Sequence, residues 1–456
     1  MPHLLVFLPG IGGSRLRDRL TGRLIWGIDG VRRPVRHKEI ARADADLWDP
    51  DFDDGIEADG LLAISVPGLT RVKGSYQGLR DRLANAFALD EENHLEFPYD
   101  WRRPCSFTSA LLAKDIARKL AVLRRRSPGA KVIIVAHSMG GLVALHYLRE
   151  HDRDHDCIRL ITLGTPFRGA VKAAGALADG LALGPFRAFQ ETLLRLPSVH
   201  ELLPLYPAIV DCRGPEPLPA ERITALAGAV ALDTEKVEAA RAFLAGLNGP
   251  LDDPWRLQPV AGFGSRTPQA GLLRPTGLTV SPLADLLPPE YVEDGPPDGD
   301  GTVPIWSAEP AIPGVLTQYV NQSHLGMVGG RQALSIIVNL IRGALRASRE
   351  HDPFLGPRDP LPAGAPKVPL WGPRLDTDVR DVYPLGGRVV VTGRAVGWRG
   401  GLWGGLDSRE GRRPAVIGHD GSFEIDFGEV EEGLHTLTLT EREHGPEKFL
   451  DVIEVA

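Results

Sequence analysis

A single serine, set between a continuous apolar run and a helix-like segment, restricts the fold more than any other feature. Residues 131–136 (KVIIVA) are apolar after their first residue, which predicts a buried strand. Leucines recur at helical spacing in residues 140–150. Ser138 lies in the turn between them, and Ala136 and Gly140 are small enough for a sharp strand-to-helix turn. This setting predicts a nucleophilic serine, with an ordinary turn as the alternative.

The chain has 456 residues, more than one hydrophobic core usually supports, so we expect at least two compact units. From residue 1 to about residue 350, short apolar runs alternate with helical patterns. That alternation is typical of an α/β fold, a sheet with crossover helices. Residues 1–350 are therefore predicted to form an α/β domain, with lid or cap insertions at 26–60 and 167–290.

The last quarter of the chain, from about residue 351, has a different pattern. Seven prolines fall between residues 353 and 373, which predicts a stiff linker over residues 351–377. Beyond it, Phe423, Ile425 and Phe427 alternate with polar residues, as in a strand with one buried face. Residues 378–456 are therefore predicted to form a small β-sandwich.

Composition excludes several classes of function. With 43% hydrophobic and 24% charged residues the chain is globular, and a net charge of −7 argues against a nucleic-acid partner. Three cysteines are too few for a disulfide framework, and His146, His151 and His155 fit a solvated helix end better than a metal site. The sequence has neither an 18-residue apolar run nor a basic, apolar leader. We expect no transmembrane segment, no signal peptide and a cytoplasmic location.

A nucleophilic serine needs a base and an acid that orients the base, here expected in the chain order serine, acid, histidine. Asp300, in the turn at 298–304 (DGDGTVP), is the best candidate acid, with Asp298 and Asp294 as alternatives. His324 follows and is the candidate base. The competing interpretations are an aspartate turn or weak calcium loop for the acid, and a structural histidine for the base.

The chemistry also needs two backbone N–H groups that stabilise a developing oxyanion. We assign one to Met139, the residue after the nucleophile, and the other to Ile11 in the glycine-rich turn at 8–14 (LPGIGGS). That turn lacks the third glycine of a dinucleotide-binding loop, so a tight turn without a catalytic role is the alternative. Neither a metal nor an organic cofactor is required.

Two further segments allow two interpretations each. Tyr99, Asp100 and Trp101, in residues 97–102 (FPYDWR), either line an acyl pocket or brace the sheet edge. Apolar residues at helical spacing between 186 and 196 fit either a lid that opens at a lipid surface or core packing: Phe186, Phe189, Leu193 and Leu196.

Seven motifs occur in order between residues 9 and 327: PGIGGS, FPYDWR, AHSMGG, GTPFRG, LLP, GDGTVP and SHLGM. Through them the chain resembles the lecithin:cholesterol acyltransferase-like branch of the α/β-hydrolases, and a bacterial member of it. The resemblance implies an α/β-hydrolase fold and serine esterase or acyltransferase chemistry on lipid acyl esters. It also implies a Ser138–Asp300–His324 triad.

The C-terminal residues resemble bacterial immunoglobulin-like domains at 420–423 (DGSF) and 432–437 (EGLHTL). A second hypothesis is therefore an inactive hydrolase fold that binds a partner through this sandwich. Because every part of the catalytic machinery is present, the sequence favours the esterase. It leaves open whether water or an alcohol resolves the acyl-enzyme.

Overall fold

The computed structural model describes residues 1–27, 40, 46–62, 76–179, 181–183, 186–188, 190–213, 218–219, 232–282, 298–349, 374–380, 382–396, 401–409, 411–443 and 447–455. Most of the predicted linker, residues 351–373, lies outside these ranges. No described helix has the length and apolar character needed to cross a bilayer.

The strands up to residue 349 are β1 (Leu4–Leu8), β2 (Ser14–Asp18), β3 (Leu24–Trp26), β4 (Ile56–Leu61), β5 (His94–Glu96), β6 (Val132–His137), β7 (Cys157–Leu163), β8 (Leu181–Leu183), β9 (Phe186–Ala188), β10 (Ile209–Asp211), β11 (Leu218–Pro219), β12 (Leu257–Phe263), β13 (Ser265–Arg266), β14 (Ala270–Arg274), β15 (Gly277–Ser281), β16 (Asp298–Gly299) and β17 (Gln318–Asn321). The helices are α1 (Tyr76–Phe87), α2 (Cys105–Leu123), α3 (Met139–Glu150), α4 (Val171–Asp179), α5 (Gln190–Leu193), α6 (Pro197–His200), α7 (Thr234–Leu247), α8 (Ile305–Ala308), α9 (Gly326–Gly329) and α10 (Arg331–Arg349). The later strands are β18 (Arg374–Asp378), β19 (Val382–Tyr383), β20 (Arg388–Val396), β21 (Trp403–Leu406), β22 (Arg413–Pro414), β23 (Val416–Ile417), β24 (Ser422–Glu429), β25 (Gly433–Thr440) and β26 (Glu447–Val455).

A six-stranded sheet organises the first 349 residues. Its strand order is β17-β12-β7-β6-β1-β5, and all neighbouring strands are parallel. Parallel strands all end at one edge of a sheet, so the turns after β1, β6, β12 and β17 come together there. The predicted strand at 131–136 is β6, in the middle of this sheet.

Successive residues of the central strands enter two cores, one on each face of the sheet. Leu4, Val6 and Leu8 of β1 join the cluster that contains the buried faces of α2 and α3. Leu5 and Phe7 join the cluster that contains those of α1 and α10. Because helices cover both faces, the strands are apolar throughout and do not alternate. The predicted α/β fold with an additional C-terminal all-β region is confirmed.

A buried carboxyl group lies at the start of α2. Glu201 Oε2 accepts the backbone N–H of Cys105, the first residue of this helix, at 2.8 Å. Such an acceptor satisfies one of the four N–H groups that a helix leaves unpaired at its N-terminus. Burial raises the pKa of Glu201 to about 7, and the hydrogen bonds from Cys105 oppose that rise.

The predicted insertion at 167–290 is too long. It does hold a sheet of its own, with strand order β11-β10-β14-β15. However, β12 (Leu257–Phe263) lies between β7 and β17 in the central sheet, so the insertion ends before residue 257. Gln258 and Pro259 interrupt this segment (LQPVAGF), so it carries no local sign of a central strand, which explains the difference.

The predicted amphipathic stripe in this insertion is not one helix. Phe186 lies in the short strand β9, and Phe189 lies outside the described residues. Leu193 and Leu196 are fully buried in the cluster that also contains the buried faces of α2 and α3, as expected for core packing.

Two sheets form the C-terminal unit, residues 374–455. Their orders are β18-β20-β24-β23 and β19-β26-β25-β21-β22. Phe423, Ile425 and Phe427 are buried in the cluster that joins the sheets, while the residues between them point outward. The first strand, β18, starts at Arg374, inside the segment predicted to be linker.

Candidate active site

The backbone at Ser138 is strained in the way a nucleophile turn requires. Its φ of 53° and ψ of −128° lie in a region that residues with a side chain rarely adopt. Hydrogen bonds hold this conformation: Ser138 donates its N–H to the Leu163 carbonyl, and its own carbonyl accepts the Thr165 hydroxyl. Gly140 has to be small, since a Cβ there would lie 2.4 Å from the Pro9 carbonyl oxygen.

The structure brings Ser138, His324 and Asp300 into one chain of hydrogen bonds. His324 Nε2 lies 3.0 Å from Ser138 Oγ, and His324 Nδ1 lies 2.7 Å from Asp300 Oδ2. The Asp300 side chain is 1% exposed and the His324 side chain 13% exposed. An imidazole between a hydroxyl and a buried carboxylate can accept the serine proton and hold the resulting charge.

Other contacts determine how Asp300 and His324 are oriented. Asp300 Oδ1 accepts the N–H groups of Thr302 and Val303, at 2.9 and 2.7 Å. The remaining oxygen, Oδ2, faces His324, which makes Nδ1 the protonated ring atom and leaves Nε2 as the acceptor for Ser138. The backbone N–H of His324 also donates to the Asp300 carbonyl at 2.8 Å. Of the alternative acids, Asp294 and the side chain of Asp298 lie outside the described residues.

The glycine-rich turn after β1 lies against the nucleophile. A Cβ built at Gly10 would be 2.9 Å from Ser138 Cβ, so the two backbones approach closely. Ile11 follows Gly10, and Met139 is the first residue of α3, where helical N–H groups have no partner within the helix. Both predicted oxyanion donors therefore belong to segments that flank Ser138.

Tyr76 and His137 are two residues of the site to which the sequence assigned no role. The Tyr76 hydroxyl accepts the Gly10 N–H at 2.9 Å and lies 3.0 Å from His137 Nδ1. His137 Nε2 lies 3.0 Å from the His324 carbonyl oxygen. With a neutral His137 ring, only one proton arrangement satisfies all three contacts: His137 donates from Nε2, and Tyr76 donates to Nδ1.

Burial keeps both rings of this network neutral. It lowers the pKa of His137 well below its usual value, and it raises the pKa of Tyr76. The network therefore runs without a charge from the Gly10 turn to the loop that carries His324. His137 adjoins Ser138 in sequence, which is a signal that could have drawn attention to it, whereas Tyr76 has no comparable signal.

The contacts of residues 97–102 support the bracing interpretation. The Tyr99 hydroxyl donates to the Pro9 carbonyl at 2.9 Å, and the Trp101 indole N–H donates to the Ser14 carbonyl at 3.3 Å. Asp100 pairs with the buried Arg102 at 2.6 Å. The bonds from Tyr99 and Trp101 hold both ends of the glycine-rich turn.

Within the described residues, no three histidine, cysteine, aspartate or glutamate side chains are grouped as a metal site would require. His146 Nδ1 instead lies 2.7 Å from the Ser109 hydroxyl, and His155 Nδ1 lies 3.1 Å from Asp253.

Comparisons with known proteins match one segment of the chain to a family. Residues 54–205 match the family model described as lecithin:cholesterol acyltransferase. Phospholipase A(1) LCAT3 of Arabidopsis thaliana is 34% identical over 90 residues, which is 19% of each chain. Phosphatidylcholine-sterol acyltransferase of Mus musculus is 30% identical over 116 residues, 24% of this chain and 25% of that protein. The chain thus spans about a fifth to a quarter of the length of these relatives.

Among solved structures, the Tle4-Tli4 complex contains a chain that superposes with a TM-score of 0.52. The match covers 77% of this chain and 99% of that one, at 14% sequence identity, which is a likeness of fold alone. The family match includes Ser138 but neither Asp300 nor His324. The protein is therefore an α/β-hydrolase in fold, and its residues 54–205 are similar to the lecithin:cholesterol acyltransferase family.

Proposed function

We propose that this protein is a serine esterase that acts on lipid acyl esters through a covalent acyl-enzyme. The observation that carries the proposal is the hydrogen-bond chain Ser138 Oγ–His324 Nε2 and His324 Nδ1–Asp300 Oδ2, at 3.0 and 2.7 Å. Its atoms, burial and ring orientation are those that nucleophilic acyl transfer needs.

In the first half-reaction Ser138 Oγ attacks the ester carbonyl carbon while its proton moves to His324 Nε2. The carbonyl oxygen becomes an oxyanion, and the backbone N–H groups of Ile11 and Met139 are the proposed donors to it. Asp300 stabilises the imidazolium that forms. When the intermediate collapses, the C–O bond to the alcohol breaks and His324 returns the proton to the leaving oxygen.

In the second half-reaction an acceptor hydroxyl takes the place of the departed alcohol. His324 removes its proton, its oxygen attacks the acyl carbon, and the Ser138 ester bond breaks as the serine regains the proton. Water as the acceptor yields a carboxylic acid, and an alcohol yields a new ester. The same residues serve both outcomes, so the reaction class is esterase or O-acyltransferase.

The family match and the printed names of the two relatives support a lipid ester as the substrate. Those names specify a phospholipase A(1) and a phosphatidylcholine-sterol acyltransferase. A lipid substrate brings the site to a lipid surface, and segments within 26–60 and between β7 and β12 are the proposed lids. We propose no cofactor, because the triad supplies both the nucleophile and the proton transfers.

Labelling with a fluorophosphonate tests the assembled site without a choice of substrate. The purified full chain is incubated with the probe, with and without phosphatidylcholine vesicles, and its intact mass is measured. A single adduct is expected on the wild type and none on Ser138→Ala, because only a serine activated by its base reacts. Ser138→Ala should also hydrolyse a short-chain p-nitrophenyl ester at least about 10³-fold more slowly.

Ser335→Ala is the matched control. That hydroxyl is exposed on α10 and, within the described residues, donates to the carbonyl of Arg331, one turn earlier. If Ser335→Ala is labelled to the same extent as the wild type, then the removal of a serine elsewhere in the chain does not affect labelling. An unlabelled wild type under both conditions would overturn the proposal and favour an inactive hydrolase fold that binds a partner through the C-terminal unit.

A further inference from the structure

The C-terminal unit is in direct contact with the loop that carries His324. Gln322 and Ser323, the two residues before His324, are both buried. In β26 the Leu450 N–H donates to Gln322 Oε1 at 3.2 Å, and the Leu450 carbonyl lies 2.9 Å from the Ser323 hydroxyl. One residue of the C-terminal unit thus contacts both side chains that precede the candidate base.

The Ser323 hydroxyl is the centre of these contacts. It can donate its hydrogen bond either to the Leu450 carbonyl or to Asp451 Oδ1, which lies 2.8 Å away. Its oxygen accepts the N–H of Gly326 at 3.1 Å, where α9 begins. A Cβ on Gly326 would be 2.4 Å from the Leu450 carbonyl oxygen, so the backbone of β26 lies directly against this loop.

The same unit also contacts the segment beside Asp300. The N–H of Thr377, in β18, donates to the Gly264 carbonyl at 2.6 Å. Ser265 follows Gly264, and its backbone forms a β-bridge with Asp300. The strand β26 therefore contacts the His324 loop directly, and β18 contacts the segment that pairs with Asp300.

We propose that the C-terminal unit is a positioning element for the triad: Leu450 and Asp451 hold Ser323, and through it the imidazole of His324, within reach of Ser138. The reason is geometric. His324 lies on a short loop between β17 and α9, and displacement of a reacting group by 1 Å can cost about 10²-fold in rate. This inference rests on the proposed function of the site.

Ser323→Ala is the direct test, because it removes the hydroxyl and keeps the Cβ. We expect kcat for a short-chain p-nitrophenyl ester to fall about tenfold or more, with KM within about twofold of the wild type. The rate of fluorophosphonate labelling should fall in proportion, and the pH midpoint of kcat/KM should move, since the surroundings of the imidazole change. A purely structural role would lower the melting temperature without these kinetic changes.

Ser422→Ala, a serine of the C-terminal unit itself, is the matched control, because within the described residues that hydroxyl donates to Asp420 in its own exposed turn. A second pair of variants, at Asp451, tests the same proposal if Ser323→Ala fails to fold. Asp451→Asn keeps an acceptor oxygen near Ser323 and should stay close to the wild-type rate, whereas Asp451→Ala should lose rate.

The two proposals fail in different ways. A wild type that the fluorophosphonate does not label contradicts the proposed function itself. A labelled wild type, with the labelling rate and pH profile unchanged in both Ser323→Ala and Asp451→Ala, leaves the esterase in place and overturns the positioning role.

Discussion

The hydroxyl of Tyr76 joins two parts of the site that are far apart in sequence. It accepts the N–H of Gly10, beside the proposed oxyanion donor Ile11, and it donates to His137, which adjoins Ser138. The phenol is buried, so the loss of either bond would leave a buried polar group that water does not reach. The single oxygen therefore fixes the glycine-rich turn relative to the nucleophile.

Tyr76→Phe removes that oxygen and keeps the ring. We expect kcat for a short-chain p-nitrophenyl ester to fall roughly tenfold, because the Gly10 turn and the oxyanion donor beside it lose their anchor. KM should change by less than about twofold, since this hydroxyl is buried. Steady-state kinetics give both values.

Tyr383→Phe provides the comparison, because its hydroxyl lies in the C-terminal unit and donates to the Val390 carbonyl. Equal kcat values for Tyr76→Phe and Tyr383→Phe would contradict the anchoring role. Nothing in the sequence could have predicted this role, because the bond joins residues 61 positions apart and no motif surrounds Tyr76.

Among the elements, α2 depends on a buried acid at its first turn. Glu201 has a pKa of about 7 in the folded protein, raised mainly by burial, against a usual value of 4.5. The folded state therefore binds a proton more tightly than the unfolded state. The contribution of the Glu201 carboxyl group to the free energy of unfolding is fully present below about pH 4.5, and it is lost as the pH rises towards 7.

Glu201→Gln tests this linkage. The amide oxygen still accepts the Cys105 N–H, but the side chain does not titrate. Relative to the variant, the wild type should lose on the order of 3 kcal/mol of unfolding free energy between pH 4.5 and 7, with little further change above. Urea unfolding of both proteins at several pH values measures the difference, in which the other titrating groups cancel. A constant difference across this range would show that Glu201 is not perturbed.

The elements differ in how far local sequence determines them. β1, β6 and α3 follow from continuous apolar runs and helical spacing, so they could be predicted nearly to the residue. The strand β12 could not, because its seven residues (LQPVAGF) include Gln258, Pro259 and Gly262, a composition that fits a lid strand as well as a central one. Only pairing with β7 and β17, over long stretches of chain, decides between them.

At the scale of the whole molecule, the C-terminal unit forms part of the surroundings of the site. The proline-rich segment and the change to a period of two predict a separate β region, and the structure has one. They do not predict that β26 lies against the loop of His324, because the Ser323–Leu450 bond spans 127 positions. The triad's chain order could be predicted, but this contact could not.

The contact implies that heating which unfolds the C-terminal unit also removes the reactivity of Ser138. Phe427 is 2% exposed in the core between the two C-terminal sheets, and truncation of such a side chain costs about 3–5 kcal/mol. Phe427→Ala should therefore lower the melting temperature of the C-terminal unit by about 10 °C or more. Fluorophosphonate labelling of Ser138 should be lost at that same lower temperature, because the His324 loop loses the bonds from Leu450 and Asp451.

Labelling and circular dichroism measured along one temperature series compare these two events. Val416→Ala is the matched control, because that side chain is 77% exposed on the same unit and should change neither temperature. Labelling of Phe427→Ala that persisted up to the wild-type temperature would show that the triad holds its geometry without the C-terminal unit. Coincident loss, with the control unchanged, would mean that the β-sheets stabilise the reactive form of an α/β-hydrolase site through a few hydrogen bonds at its base loop.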